Sequence, residues 1–328
     1  MRLNYLIFLV LFISINACQK IDDVGVLVPP TVNQDAALPS ISIEVNGILR
    51  KIHTRTYGNP SNPLLIILHG TYSDTKPYTD LAISLSDNYY VLLYDQRGCG
   101  LSERIEEGEF TLQSATEEIN QIVDHYSAKD KVTLIGHSWG GAISTLYTAT
   151  YSDKIEQLIL LEPMPLTGIN MQDVYSTLVD INYFEPMWNE LSQNGQALSP
   201  RNHEQLDFKG RMILYGTATS AYHCDGDNPP EWQVHRVGSF VEYVRYKRLG
   251  NPKKGFNYDF RKNIHAFQDT VLILGGSCSS LGYTMQLQYT APHFSKFKVR
   301  EIENAGHRIH KDQFETVVNE LKDFLNEY

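Results

Sequence analysis

The stretch Leu134-Ile135-Gly136-His137-Ser138-Trp139-Gly140-Gly141 constrains this chain more than any other. It sets Gly-x-Ser-x-Gly directly after an apolar run, Val132 to Ile135, and directly before a helical pattern over Gly140 to Tyr151. A serine at that junction sits on a tight strand-to-helix turn, where only small neighbours let the backbone strain and the helix approach closely. Its hydroxyl then stands above the sheet beside the free N–H groups of a helix N-terminus, which favour developing negative charge. Ser138 is therefore the candidate nucleophile. Such a serine needs a base, and Asn304-Ala305-Gly306-His307 lies between an alternating run, Phe297 to Ile302, and a last helical pattern, Gln313 to Tyr328. His307 is the candidate general base, with His310 as its rival.

The rest of the chain alternates strands with helices. Ile41 to Val45 alternates as a half-buried strand, Asn46-Gly47 turns, and Ile48 to Tyr57 returns as a second strand. Leu64 to Leu68, Tyr89 to Tyr94, Val132 to Ile135, Leu158 to Leu161 and Val271 to Leu274 are short apolar runs, as expected of strands covered on both faces. A helical pattern spans Leu112 to Tyr126. The expectation is an α/β fold with a mainly parallel sheet and helices on both faces. A chain of 328 residues, at about 150 per domain, would suggest two domains, but α/β folds also carry such a length as one domain with an insertion. The latter is expected here: a core of residues 40–163 and 266–328, and a mainly helical cap of residues 164–265, which includes Val237 to Leu249.

Together these residues resemble the α/β-hydrolase superfamily over roughly 40–165 and 265–328. Within it, Tyr94-Asp95-Gln96-Arg97-Gly98-Cys99-Gly100-Leu101-Ser102 and the Trp139 after the serine resemble prolyl iminopeptidases. The resemblance implies an oxyanion site made by the backbone N–H groups of Thr71, in His69-Gly70-Thr71, and of Trp139. His69 is expected to structure that loop. The resemblance also implies a triad acid, commonly an Asp after the strand read as Val271 to Leu274. This chain has Gly275-Gly276-Ser277-Cys278-Ser279-Ser280 there, with no carboxylate. Some haloalkane dehalogenases of the fold place a Glu one strand earlier, where this chain has Leu161-Glu162-Pro163, so Glu162 is the expected acid. The alternatives are a hinge role for Glu162 and an incomplete triad. Three departures separate the chain from the iminopeptidases: His69-Gly70-Thr71-Tyr72-Ser73 for His-Gly-Gly-Pro-Gly, His137 for a glycine, and the missing Asp. An aminopeptidase would also need a cap carboxylate for the substrate ammonium; Glu185, Glu190, Glu231 and Glu242 are available, and exposed cap glutamates are the plainer reading of each.

At the N-terminus, Met1-Arg2 precedes an apolar run from Tyr5 to Ile13, too short to span a bilayer but fitting a secretory segment. It ends in Ile15-Asn16-Ala17-Cys18, which resembles a bacterial lipobox. That resemblance implies a signal peptide over 1–17, lipid attachment at Cys18, a tether over 18–39, and a cell-envelope lipoprotein on the periplasmic face or outer-membrane surface of a Gram-negative bacterium. Among Cys99, Cys224 and Cys278 at most one disulfide can form, and the sequence does not choose the pair.

Charge narrows the function further. The chain has 28 basic and 38 acidic residues, a net charge of −10, and no dense Lys/Arg run, which argues against nucleic-acid partners. The expected activity is that of a serine hydrolase acting on a small-molecule or peptide substrate, an amide or ester, through an acyl-enzyme and with no metal or organic cofactor. The resemblance implies an iminopeptidase-like aminopeptidase as its form; a carboxylesterase or lactonase-type hydrolase, and a non-catalytic binding lipoprotein on the same fold, are the competing readings.

Overall fold

A computed structural model of the chain describes residues 29–327, except 128–129, 178–202, 205, 208–209, 211–223, 225–233 and 252–253. Eight strands form one sheet: β1 (Ser40–Val45), β2 (Ile48–Tyr57), β3 (Leu64–Leu68), β4 (Tyr90–Tyr94), β5 (Val132–His137), β6 (Ile155–Leu161), β9 (Val271–Gly276) and β10 (Phe297–Ile302). Their order is β1-β2-β4-β3-β5-β6-β9-β10. The β1–β2 hairpin joins β4 antiparallel, and every pair from β4 to β10 is parallel. Asn46 and Gly47, both at positive φ, make the hairpin turn, the geometry that matches the twist of the flanking strands.

Parallel strands need covering on both faces, and side-chain alternation supplies two cores. From β3, Ile66 and Leu68 pack into one core with Ile119, Ile122 and Val123 of α2 (Leu112–Tyr126) and Ala142, Ile143 and Tyr147 of α3 (Trp139–Thr150). Leu65 and Ile67 face the other way, against Leu81, Ala82 and Leu85 of α1 (Thr79–Leu85) and a terminal helix, Phe314–Glu327. That helix buries Val317, Val318, Leu321, Phe324 and Leu325, a stripe at helical period. Thr111 starts α2 with a reciprocal cap: its Oγ1 accepts from the Ser114 N–H at 2.9 Å, and Ser114 Oγ accepts the Thr111 N–H at 2.8 Å.

The chain between β6 and β9 leaves the sheet. Its described elements include α4 (Gly168–Thr177), α5 (Ser239–Leu249), a two-stranded ribbon of β7 (Gly250–Asn251) and β8 (Gly255–Phe256), and a 3-10 turn at Ile264–Ala266; the terminal helix is α6. Phe240, Val241 and Val244 of α5 join the buried cluster that holds Tyr94 and Trp139, so this segment is packed onto the core.

One expectation needs correcting. Residues 29–39, read from sequence as the end of a tether, lie on the folded body. Val32 is buried and donates its N–H to the Leu101 carbonyl at 2.9 Å, and the Pro29 carbonyl accepts from Arg236 Nε at 2.7 Å. The lack of an amphipathic period in this stretch reflects a loop held by backbone groups. Cys18 and the rest of the N-terminal segment lie outside the described residues.

Candidate active site

The carboxyl ends of the parallel strands gather the candidate residues on one edge of the sheet. Ser138 follows β5 with φ 53° and ψ −118°, a left-handed backbone that a serine adopts only under constraint. The glycines around it explain the constraint. A Cβ on Gly136 would stand 2.5 Å from the Gly140 carbonyl oxygen, and one on Gly140 would run into the Leu68 carbonyl. The helix can therefore close on β5 and β3 only with glycine at both positions. The result is a strained turn presenting a serine at the head of α3.

Glu162 follows β6 and His307 follows β10, and the fold joins them. His307 Nδ1 lies 2.7 Å from Glu162 Oε2. The carboxylate is fully buried, at positive φ, and its Oε1 accepts the Gly276 N–H at 2.6 Å. Burial pushes this carboxyl up to about 8, against hydrogen bonds from the Ser279 hydroxyl and the Gly276 amide that favour its charge. A carboxylate held on Nδ1 leaves Nε2 bare, which is the tautomer a general base requires. Glu303 is exposed, and His310 stacks on Tyr78 at 4.6 Å with neither ring nitrogen hydrogen-bonded.

A directed chain of hydrogen bonds links three loops at this edge. His137 Nε2 lies 2.8 Å from the His307 carbonyl, which can only accept, so Nε2 carries the proton. Burial, and then the nearness of His307, holds His137 well below its ordinary value, so the ring is neutral and Nδ1 accepts from the Tyr78 hydroxyl at 2.7 Å. Tyr78 in turn accepts the Gly70 N–H at 3.3 Å. The loop after β3, the nucleophile strand and the loop bearing His307 are thus tied through one ring.

The two amides expected at an oxyanion are held from behind. Gly70 packs so closely on Ser138 that an added Cβ would sit 3.0 Å from the serine Cβ, which brings the 70–72 loop against the candidate nucleophile. Tyr72, the next residue after Thr71, has φ 48°, a conformation costing a bulky residue roughly 1–2 kcal/mol. Trp139, first residue of α3, donates its indole N–H to Gln96 Oε1 at 2.9 Å. Gln96 also brackets His69: its N–H donates to His69 Nε2 at 3.0 Å and its amide to the His69 carbonyl at 2.7 Å. His69 therefore carries its proton on Nδ1, given to the Gly70 carbonyl at 2.8 Å, and burial lowers it to about 4. It is a neutral loop clamp.

These features match known proteins. A family of the alpha/beta hydrolase fold matches residues 63–194. The crystal structure of a proline iminopeptidase from Mycobacterium smegmatis superposes with a TM-score of 0.62 over 88% of this chain and 98% of that one, at 14% identity. The chain has the α/β-hydrolase fold. In sequence it is similar to a putative esterase/lipase of Haemophilus influenzae, 24% identical over 81% of this chain and 84% of that protein. It also resembles a proline iminopeptidase of Thermoplasma volcanium, 36% identical over 35% of this chain and 40% of that protein.

Within this fold the Asp95-Gln96-Arg97-Gly98 loop is mostly scaffold. Asp95 accepts from the Thr75 and Leu101 amides, each at 2.8 Å, and meets His53 Nδ1 at 2.9 Å; Arg97 pairs with Glu118. Of the four cap glutamates, Glu185, Glu190 and Glu231 lie outside the described residues. Glu242 is buried and ion-paired with Arg245. Cys278 forms a disulfide with Cys224, and Cys99 is a buried free thiol. The bridge occupies the loop where the resemblance places an Asp. Sequence reading did not assign Gln96, Tyr78, Arg245 or the donors Gly276 and Ser279; only Gln96 had a signal, its place in the Asp-Gln-Arg-Gly run.

Proposed function

We propose that this protein is a serine hydrolase that cleaves a carboxylic ester through an acyl-enzyme. The observation that carries the reading is the buried Glu162 carboxylate on His307 Nδ1, beside a serine on a strained strand-to-helix turn. Ser138 Oγ attacks the substrate carbonyl while His307 Nε2 takes its proton. The oxyanion of the tetrahedral intermediate sits between the Thr71 and Trp139 amides. Its collapse breaks the bond to the leaving group, which departs with the proton from His307. Water, activated by the same imidazole, then attacks the acyl-serine and releases the acid.

Amide cleavage in the manner of an iminopeptidase is the second reading, supported by the Asp-Gln-Arg-Gly loop and the similarity to those enzymes. Glu242, the one described candidate for holding a substrate ammonium, already has its charge matched by Arg245, and this favours the ester. Purified protein and a Ser138→Ala control, assayed side by side on p-nitrophenyl butyrate and proline p-nitroanilide, test both. Ester release that needs Ser138 is expected. Anilide release alone would replace the ester by an N-terminal amide, and no fluorophosphonate labelling of folded protein would sink the hydrolase reading.

We also propose that Cys18 carries a lipid that holds the enzyme at the cell envelope. Metabolic labelling with palmitate should be lost in Cys18→Ala; retained label would refute it.

A further inference from the structure

One turn of α5 reaches Tyr72, the neighbour of Thr71, and the side chain of Trp139. Glu242 and Arg245, three residues apart, are 1% and 5% exposed and form an ion pair. The backbone N–H of Tyr72, the residue that follows Thr71 at left-handed φ, favours the charged form of the Glu242 carboxylate against its burial. That interaction bears on the peptide directly after Thr71, in a loop whose conformation is costly for a tyrosine without an outside hold. Arg245 grips the other side. Its guanidinium carbon lies 4.1 Å over the Trp139 ring, and its Nη2 donates to Gln96 Oε1 at 3.1 Å, the same oxygen that takes the Trp139 indole N–H.

Stability alone does not account for this arrangement. A buried ion pair gives up two hydration shells, and well-packed apolar residues of similar volume often stabilise a core as well or better. What apolar residues could not do is hold a backbone N–H and orient an indole at once. Resting on the serine-hydrolase reading, we infer that Glu242 and Arg245 are positioning residues that set the Thr71 and Trp139 amides, so that the oxyanion hole belongs to the sheet but is aimed by the inserted segment.

The test is the double variant Glu242→Leu/Arg245→Met, which removes the grip without leaving a lone buried charge. It is measured for thermal unfolding, for kcat and KM on p-nitrophenyl butyrate, and for inhibition by an alkylboronic acid whose tetrahedral adduct on Ser138 occupies the oxyanion site. Removing one oxyanion donor costs about 10²–10³ in kcat, so misaiming the donors should cost about 10- to 100-fold. KM should stay within about threefold, and the boronate should weaken by the same factor as kcat/KM. A folded double variant with unchanged kcat and boronate affinity would overturn the inference, as would a loss confined to KM. Should the double variant not fold, Glu242→Gln, which keeps an acceptor for the Tyr72 N–H, is compared with Glu242→Ala. The glutamine should retain most of the kcat that the alanine loses, and equal kcat in both overturns the inference. No Ser138-dependent turnover in the unsubstituted protein would instead defeat the hydrolase reading, and this inference with it.

Discussion

Glu162 Oε2 and His307 Nδ1 meet at 2.7 Å although 145 positions separate them, because β6 and β10 both flank β9 and end at the same edge. The second carboxylate oxygen takes the Gly276 amide at the end of β9, so the acid is fixed on both sides. This predicts a severe effect from an isosteric change. In Glu162→Gln the Gly276 N–H holds the side-chain oxygen and turns the NH₂ toward His307. The ring must then accept at Nδ1 and carry its proton on Nε2, where it blocks attack. A loss of about 10⁴ in kcat is expected with the fold intact, as for the Asn-for-Asp change in a serine protease triad. Wild-type turnover in a folded Glu162→Gln protein would remove Glu162 from the mechanism.

The pH profile follows from the same pair. In the proposed mechanism the active form carries one proton, on Nδ1, with Glu162 ionised. A second proton, on the carboxyl or on Nε2, stops catalysis. Burial raises the Glu162 carboxyl from 4.5 to about 8, so kcat/KM should fall as pH drops through the neutral-to-alkaline range, well above an ordinary carboxylate limb. Ser279→Ala removes a hydrogen bond that favours the charged form and should move that limb to higher pH. For stability the sign is opposite to that of a salt-bridged acid. The folded state holds this proton more tightly, so the group's contribution is complete below 4.5 and is lost as pH rises through about 8. Relative to wild type, Glu162→Gln should therefore gain thermal stability between pH 6 and pH 9. A flat difference in Tm would contradict the assignment.

Much of this site could be read from the chain because its chemistry is local. Gly-x-Ser-x-Gly reports its own strand and helix, and β5 and α3 fall where the pattern puts them. His307 follows an alternating strand, and His69 follows an apolar one. The carboxylate that meets His307 was legible only through the resemblance: the Gly275 to Ser280 loop holds none, and some haloalkane dehalogenases of the fold carry a Glu where this chain has Leu161-Glu162-Pro163. The supports were not legible. Tyr78 to His137, Gln96 to Trp139, and Arg245 to Gln96 are contacts between side chains 59, 43 and 149 positions apart, with no periodicity to announce them. The packing of residues 29–39 was missed for a related reason: backbone groups carry it, and a hydropathy pattern does not register them.

Cys278 lies two residues beyond Gly276 and directly before Ser279, the two donors to Glu162, so its bridge to Cys224 bears on the acid as well as on the fold. Closing a span of 54 residues should stabilise the protein by about 4 kcal/mol through the unfolded chain. Cys224→Ser/Cys278→Ser should lose stability on that scale in urea unfolding and should lower kcat several-fold, whereas Cys99→Ser should leave kcat unchanged. A double variant as active and stable as wild type would show that the bridge supports neither.

His137 stands where the iminopeptidases that the chain resembles have glycine. Its ring spans from the Tyr78 hydroxyl to the His307 carbonyl, so it fixes the base-bearing loop relative to the strand that carries Ser138. His137→Phe keeps a ring but leaves the Tyr78 hydroxyl and the His307 carbonyl without that partner, at about 1–3 kcal/mol for each group left buried. Tyr78→Phe breaks the same chain at its other link, stranding His137 Nδ1 and the Gly70 N–H. Because both changes interrupt one chain, their costs should not add. A double-mutant cycle in Tm and in kcat should give a coupling of about 0.5–3 kcal/mol, the range for residues sharing a hydrogen-bond network. Strictly additive losses would mean that Tyr78 and His137 act separately, and that the base loop takes its position from the Glu162 bond alone.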